Sequence, residues 1–181
     1  MRRHRFAERL ERRLETKQKE DWFTMVDDRI ERKIRVYLDN CCFNRPFDDK
    51  NQIRIFLETQ AKIHIQKLII NERLEFAYSY MSIFENSKNP NNDNSRIIED
   101  FFGHAVFFVD YDQEEVVGKS AEIIMTQGIK NKDAIHLACA IESECDFFIT
   151  TDDVILKRYT GKSIKVCSPI EFVTVYEAEN A

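Results

Sequence analysis

Long apolar segments are missing from this chain of 181 residues. No run approaches the roughly 18 apolar residues that a membrane-spanning helix needs, and the N-terminus leads into no apolar core of a signal peptide. Glycine and proline are also scarce, at four and three residues, which suits a compact, helix-rich fold. We therefore expect a protein that neither spans nor anchors in a membrane.

Paired cysteines are missing as well. The five cysteines form no CxxC motif, and their odd number does not suit a disulfide framework. They predict reduced thiols in a cytoplasmic protein. The adjacent Cys41 and Cys42 follow Asp39 closely, but no partner base is evident for a nucleophilic thiol. We interpret both as packing or loop residues.

A strong charge of one sign is absent, since the net charge is only −5. Residues 1–33 nevertheless carry a net +3 and residues 34–181 a net −8, which indicates a domain boundary between them. Phe6, Leu10 and Leu14 recur every fourth residue, so they fall on one stripe of a charged helix. We expect 1–33 to be a helical extension that packs on the domain or on a second copy. A basic RNA-contacting arm and a docking helix for a partner are the alternatives.

From residue 34 onward, strand-like and helix-like segments alternate. The predicted strands are 34–39, 74–80, 106–109, 146–151 and 163–167. The predicted helices are about 51–72, a short one holding Glu85, one from Asn92 to about Gly103, then 113–127, 132–144 and 153–160. Asn40–Asp49 is predicted as a loop because it is rich in turn formers. This alternation predicts an α/β fold, a three-layer α/β/α sandwich with a mostly parallel central sheet.

Four acidic residues stand where this fold would bring them together. Asp39 and Asp152 follow strands, Glu85 follows the strand 74–80, and Asp133 opens a helical stretch. The carboxyl ends of parallel strands share one edge, so these side chains are expected to converge. Converging carboxylates repel one another unless a divalent cation neutralises them, which predicts a metal site. Singly, each has a structural alternative, as a turn residue, a helix cap or a solvated helix residue.

Three motifs carry a family resemblance. They are the run Val36–Asp49, the stretch Asp133–Ala138 and the stretch Phe148–Asp153. In this order and spacing, over about 34–173, they resemble the PIN-domain superfamily. The resemblance implies a metal-dependent ribonuclease. Many small bacterial members are toxins of the VapC type that pair with an antitoxin protein, and homodimers are frequent among them.

The resemblance also implies which residues form the site. It makes Asp39, Glu85, Asp133 and Asp152 the acidic quartet, with Asp153 as the alternative fourth acid, and it places the hydroxyl of Thr150 near the last acid. Mg²⁺ and Mn²⁺ suit such a set because both prefer oxygen ligands. We assign Asp39 and Asp133 as direct metal ligands. Glu85 and Asp152 would then hold a second metal or the metal-bound waters.

Other polar residues near the quartet have competing interpretations. His136 lies one turn after Asp133, but no second His or Cys stands at zinc-ligand spacing, so we expect a buried, hydrogen-bonded histidine. Arg45 and Lys132 flank the acids and are candidates, with Thr150, for substrate contacts to RNA phosphates. Solvated loop charges are an equal alternative for Arg45 and Lys132.

The sequence thus predicts a Mg²⁺- or Mn²⁺-dependent endoribonuclease acting on single-stranded RNA. A toxin with an antitoxin partner is the leading setting, and a homodimer is expected. The first alternative is a catalytically weak PIN-like module that binds RNA or protein. The second is a DNA-directed nuclease of related fold. The aspartyl-phosphate class is disfavoured, because position 41 is Cys where such enzymes carry a second acid.

Overall fold

The computed structural model of the protein describes residues 33–49, 51–112 and 114–180. The helical extension predicted over 1–33 lies outside the described residues, apart from Lys33. Within the described ranges, none of the helices combines the length and apolar character needed to cross a bilayer.

The central sheet has five strands in the described part of the chain, and all of its pairings are parallel. The strands are β1 (Arg35–Leu38), β2 (Glu75–Ser79), β3 (Phe107–Val109), β4 (Phe147–Ile149) and β5 (Lys165–Cys167). Their spatial order is β3-β2-β1-β4-β5, so β1 is the central strand. Parallel neighbours need crossover connections, which the intervening helices supply. The predicted parallel sheet is confirmed.

Eight α-helices accompany these strands within the described residues. They are α1 (Asn40–Asn44), α2 (Ile53–Ile70), α3 (Tyr80–Asn86), α4 (Asn92–Phe102), α5 (Glu114–Gln127), α6 (Asn131–Glu142), α7 (Asp153–Arg158) and α8 (Pro169–Glu179). The predicted alternation of strands and helices is confirmed, with bounds that differ by no more than two residues.

The predicted loop over 40–49 is wrong. This segment begins with α1 and continues as a 3₁₀ turn over Arg45–Phe47. Pro46 lies in the first positions of that turn, where a missing backbone N–H removes no helical hydrogen bond. The turn formers here therefore break one helix and start another rather than forming an irregular loop. The sequence analysis also missed α8, which opens with a capping box between Ser168 and Glu171.

Each face of the sheet has its own apolar core. Val36 and Leu38 pack on one face with residues of α2, α4 and α8. Tyr37 points to the opposite face, where it packs with residues of α5 and α6. This alternation follows from the two-residue period of a strand. The predicted three-layer α/β/α sandwich is confirmed.

The central strands bring two distant chain segments together at one edge. Leu38 pairs with Ile149, and the backbone N–H of Asp39 donates to the carbonyl of Ile149 at 3.0 Å. Asp39 and Thr150 therefore leave the sheet side by side, although 111 positions separate them in the chain.

Candidate active site

Asp39 lies at the carboxyl edge of the sheet and is only 7% exposed. It occupies the N-cap position of α1, yet its side chain makes no capping hydrogen bond. Its Oδ2 instead accepts from Thr150 Oγ1 at 2.7 Å and from the Cys41 thiol at 3.1 Å. Within the described residues Oδ1 accepts no hydrogen bond, so this oxygen is the one that can bind a cation.

Thr150 fixes the position of Asp39 from inside the protein. Its side chain is fully buried, and its Oγ1 accepts from the backbone N–H of Asp152 at 3.1 Å while it donates to Asp39. One hydroxyl thus links two acidic residues of the predicted quartet. In this geometry the Thr150 hydroxyl positions Asp39, and a contact of Thr150 with the substrate stays a prediction.

Glu85 is oriented by a chain of hydrogen bonds that starts in the core. Ser79 and Ser82 contact the Tyr37 hydroxyl at 2.7 and 2.9 Å, and that hydroxyl lies 2.8 Å from His136 Nδ1. His136 Nε2 lies 3.3 Å from Glu85 Oε2. In the tautomer that satisfies this chain, Tyr37 donates to Nδ1 and Nε2–H donates to Glu85. The hydrogen bond from His136 lowers the pKa of Glu85, with a smaller contribution from Lys132.

Asp133 is coupled electrostatically to the other acids. It lies in the first turn of α6, whose N-cap is Lys130, so the helix-cap alternative for Asp133 is wrong. Partial burial raises the pKa of Asp133, and the negative charges of Asp39 and Asp152 raise it further. Like charges disfavour the ionised form of a neighbour, which is the direction of this shift.

The two adjacent aspartates after β4 have different surroundings. Asp152 caps α7, since its Oδ1 accepts from the Val154 backbone N–H at 2.6 Å. It is nevertheless near enough to raise the pKa of Asp133. Asp153 instead forms a two-pronged ion pair with Arg54, with both N–O distances at 2.8 Å. This geometry favours Asp152 over Asp153 as the fourth acid.

One group of potential metal ligands stands out among the described residues. Asp39, Glu85 and His136 offer ligand atoms that all lie within 4.8 Å of one another. His136 is 1% exposed and both of its ring nitrogens have hydrogen-bond partners, which confirms the predicted buried histidine. Mg²⁺ and Mn²⁺ favour oxygen over nitrogen, so the carboxylates are the better ligands and His136 orients one of them.

Arg45 and Lys132, the two cations predicted to contact the substrate, differ in their ion pairs and in their exposure. Arg45 is tied to Glu58 at 2.9 Å and to Asp48 at 3.1 Å. Glu58 is almost fully buried and also pairs with Arg54 at 2.8 Å, so removing Arg45 would leave this buried carboxylate with one arginine instead of two. In this geometry Arg45 pairs with two acidic residues, and its contact with an RNA phosphate stays a prediction. Lys132 is more exposed, and its Nζ lies 3.5 Å from Glu85 Oε1 at the rim of the acidic site.

The fold and the acidic edge can be compared with known proteins. The structure is similar to that of FitAcB from Neisseria gonorrhoeae, with a TM-score of 0.50, 13% identity, and coverage of 74% of this chain and 97% of that one. VapBC2 from Rickettsia felis, solved with a DNA fragment from their promoter, gives a TM-score of 0.48 at 14% identity, covering 75% of this chain and 98% of that one. VapBC-1 from nontypeable Haemophilus influenzae gives 0.43 at 20% identity, with coverage of 75% and 98%.

A search of curated protein sequences finds no significant match. At 13% identity, the likeness to FitAcB bears on the fold alone. The family model named PIN domain, by contrast, matches residues 36–162, which is well over half of the chain and contains all four acids. The chain therefore belongs to the PIN domain family.

Proposed function

We propose that this protein is a metal-dependent endoribonuclease that cleaves single-stranded RNA at the carboxyl edge of its sheet. The observation that carries the proposal is the convergence of acids there: Asp39 and Glu85 offer ligand oxygens within 4.8 Å, and Asp39 and Asp152 raise the pKa of Asp133. Membership of the PIN domain family indicates a nuclease. RNA as the substrate rests on the resemblance of the sequence motifs.

The donor set fits Mg²⁺ or Mn²⁺. Carboxylate oxygens are the ligands these ions prefer, and a bound cation would favour the ionised form of Asp133, whose pKa is raised by burial and by its acidic neighbours. We assign Asp39 and Asp133 as direct ligands, with Glu85 and Asp152 holding a second ion or its waters. A bound ion supplies Lewis acidity at a phosphodiester and makes a nucleophile available at neutral pH.

The residues of the chain contribute positioning and charge. Thr150 and Cys41 hold Oδ2 of Asp39, so Oδ1 keeps one direction relative to the sheet edge. His136 holds Glu85 in the same way. Lys132 lies beside Glu85 with an exposed ammonium group, in a position to attract a phosphate of the incoming strand. A pre-oriented set of charges needs little rearrangement when the substrate arrives.

The biological setting is also a proposal. The resemblance to VapC-type proteins favours a toxin that an antitoxin protein neutralises, and it favours a homodimer. Expression of the parent protein should then arrest growth, and co-expression of the product of the adjacent gene should relieve the arrest. Sedimentation of the purified chain measures the oligomeric state directly.

Incubation of the full chain with an unstructured RNA tests the activity. We expect cleavage in Mn²⁺ or Mg²⁺, none in EDTA, and a loss of at least about 100-fold in Asp39→Asn, since that residue offers the best-placed ligand oxygen. Asp100→Asn, an exposed position on α4, is the matched control and should cleave like the parent. Equal cleavage by Asp39→Asn and parent would refute the assignment.

Two competing functions give different results in the same assay. Preferential cutting of single-stranded or flapped DNA of the same sequence would identify a DNA-directed nuclease. Metal-independent RNA binding without any cleavage would identify a binding module.

A further inference from the structure

A cavity of about 530 Å³ opens directly beside the acidic site. It is lined by α1 and the 3₁₀ turn on one side and by α3 with the segment that follows it on the other. Glu85 and Lys132, which belong to the acidic site, also line this cavity. Its volume is within the range of about 300–1,000 Å³ that is usual for ligand-binding cavities. A substrate bound at the acidic site can therefore reach into this cavity.

The lining is rich in neutral amides rather than in cations. Five asparagines contribute to it, namely Asn40, Asn44, Asn89, Asn91 and Asn94. A side-chain amide offers both hydrogen-bond donors and an acceptor, which suits the mixed edge of a nucleobase. The carboxylates of Asp48 and Glu85 balance the ammonium groups of Lys88 and Lys132 in the lining, so its charged side chains offer no net positive charge to a phosphate. The chemistry of the lining thus favours a neutral polar ring over a phosphate.

Asn40 has an amide that lacks a partner. It is only 6% exposed, and its Oδ1 is buried without a hydrogen bond in the described part of the chain. Buried polar atoms are nearly always hydrogen-bonded, and an unsatisfied one is costly. The terminal torsion of asparagine turns easily, so this amide can rotate toward a ligand that enters the cavity.

Asn44 is held ready for a ligand by its neighbour. Asn89 Nδ2 donates to Asn44 Oδ1 at 3.1 Å, and Asn89 Oδ1 in turn accepts from the Asn91 backbone at 3.1 Å. The Nδ2 donors of Asn44 make no hydrogen bond to any described residue. Phe47, which is 44% exposed, also lines the cavity and offers a flat ring on which a base can stack.

We propose that this cavity binds one unpaired nucleobase of the RNA, next to the phosphodiester at the acidic site; this rests on the proposed ribonuclease function. Asn44 and Asn40 hydrogen-bond the edge of the base, and Phe47 stacks on its face. Lys88 and Lys132 lie on the same wall and attract the flanking phosphates. The cavity therefore selects an unstacked nucleotide and sets the position of the cut.

Binding of a labelled, unstructured RNA octamer to the full chain tests this proposal independently of cleavage. The measurements are made in Ca²⁺, which is coordinated by carboxylate oxygens with less strict geometry than Mg²⁺ and takes the place of the proposed metal. A series of octamers carries one abasic ribose at each position in turn, and anisotropy gives each affinity. We expect one abasic position to lower the affinity about tenfold, the usual order for one stacked and hydrogen-bonded base.

Asn44→Ala identifies the cavity as the place where that base binds. In this variant the same abasic position should cost clearly less than in the parent, because the hydrogen bonds from Asn44 are already lost and only the contacts with Asn40 and Phe47 remain. Asn44→Asp is the second variant, since it keeps the acceptor for Asn89 and replaces the donors by a negative charge. The added charge lowers the affinity for every octamer alike, so only the abasic penalty is compared with that of the parent. Asn71→Ala, an exposed position after α2, is the matched control and should keep the full abasic penalty.

The outcomes separate this proposal from the proposed function. The proposed nucleobase site is refuted if all abasic octamers bind with the same affinity, or if the loss of affinity at the sensitive position is unchanged in both Asn44 variants. Either result refutes it even if the parent cleaves RNA. The expected pattern in a parent that does not cleave would leave the cavity in place and remove the nuclease.

Discussion

Thr150 and Thr151 provide a paired test of how the site is held. The two residues are adjacent and both are at least 96% buried, yet their hydroxyls differ. Thr150 Oγ1 donates to the Asp39 carboxylate and accepts from the Asp152 backbone N–H. Thr151 Oγ1 is buried with no hydrogen-bond partner in the described chain. Replacing either threonine by valine removes only the hydroxyl and preserves the shape of the side chain.

The two substitutions should change the free energy of unfolding in opposite directions. A hydrogen bond to a charged group contributes about 1.5–3 kcal/mol, so Thr150→Val should destabilise the protein by about 2–3 kcal/mol. An unpaired buried hydroxyl is itself unfavourable, so Thr151→Val should be neutral or stabilising by up to about 1 kcal/mol. With a urea dependence of roughly 2–3 kcal/mol per molar, the two midpoints should differ by roughly 1 M.

Urea unfolding of parent and both variants in EDTA measures this difference. Calorimetric titration with Mn²⁺ then measures the site itself. Loss of a residue that orients a ligand typically costs 10–100-fold in metal affinity, which we expect for Thr150→Val and not for Thr151→Val. Coinciding urea midpoints and equal Mn²⁺ affinities in the two variants would show that the Thr150 hydroxyl does not position Asp39.

Three further predictions concern Asp133, Asp152 and Asp153. Because the pKa of Asp133 is raised in the fold, its contribution to stability falls as pH rises from the ordinary aspartate value through the raised one. Asp133→Asn should therefore stabilise the metal-free protein at pH 7 and weaken Mn²⁺ binding, and lower stability in EDTA would contradict this. Asp152→Asn keeps an N-cap residue while removing a charge, so Mn²⁺ affinity should fall without unfolding. Asp153→Asn breaks an exposed ion pair with Arg54 and should leave Mn²⁺ affinity at the parent value; a larger loss than in Asp152→Asn would reverse their roles.

Local sequence patterns were sufficient for most of the fold. The alternation of apolar strands and amphipathic helices predicted the parallel sheet, because the spacing of apolar residues along each segment reflects which of its faces is buried. The segment 40–49 failed for a physical reason: Asn and Pro favour helix ends as well as turns, and composition does not distinguish two short helical turns from a loop. The helix α8 was missed although Ser168, Pro169 and Glu171 form a recognisable N-terminal signal.

The supporting contacts of the site were beyond the reach of sequence patterns. Cys41 was read as a packing or loop residue, whereas its thiol donates to the Asp39 carboxylate. The hydrogen bond from His136 to Glu85 joins positions 51 residues apart and depends on how α3 and α6 pack. The choice between Asp152 and Asp153 depended on Arg54, which lies 99 positions from Asp153 and gives no local signal.

The supporting contacts are unevenly distributed over the four acids, and this has a chemical consequence. Asp39 accepts from a hydroxyl and a thiol, Glu85 accepts from His136, and Asp152 accepts from a helix N–H. Within the described residues the carboxylate of Asp133 accepts no hydrogen bond. Partial burial and the charges of Asp39 and Asp152 raise the pKa of Asp133. The ionised form of Asp133 therefore has the least support from hydrogen bonds, so cation binding at pH values near its raised pKa should release a proton there and become tighter as pH rises.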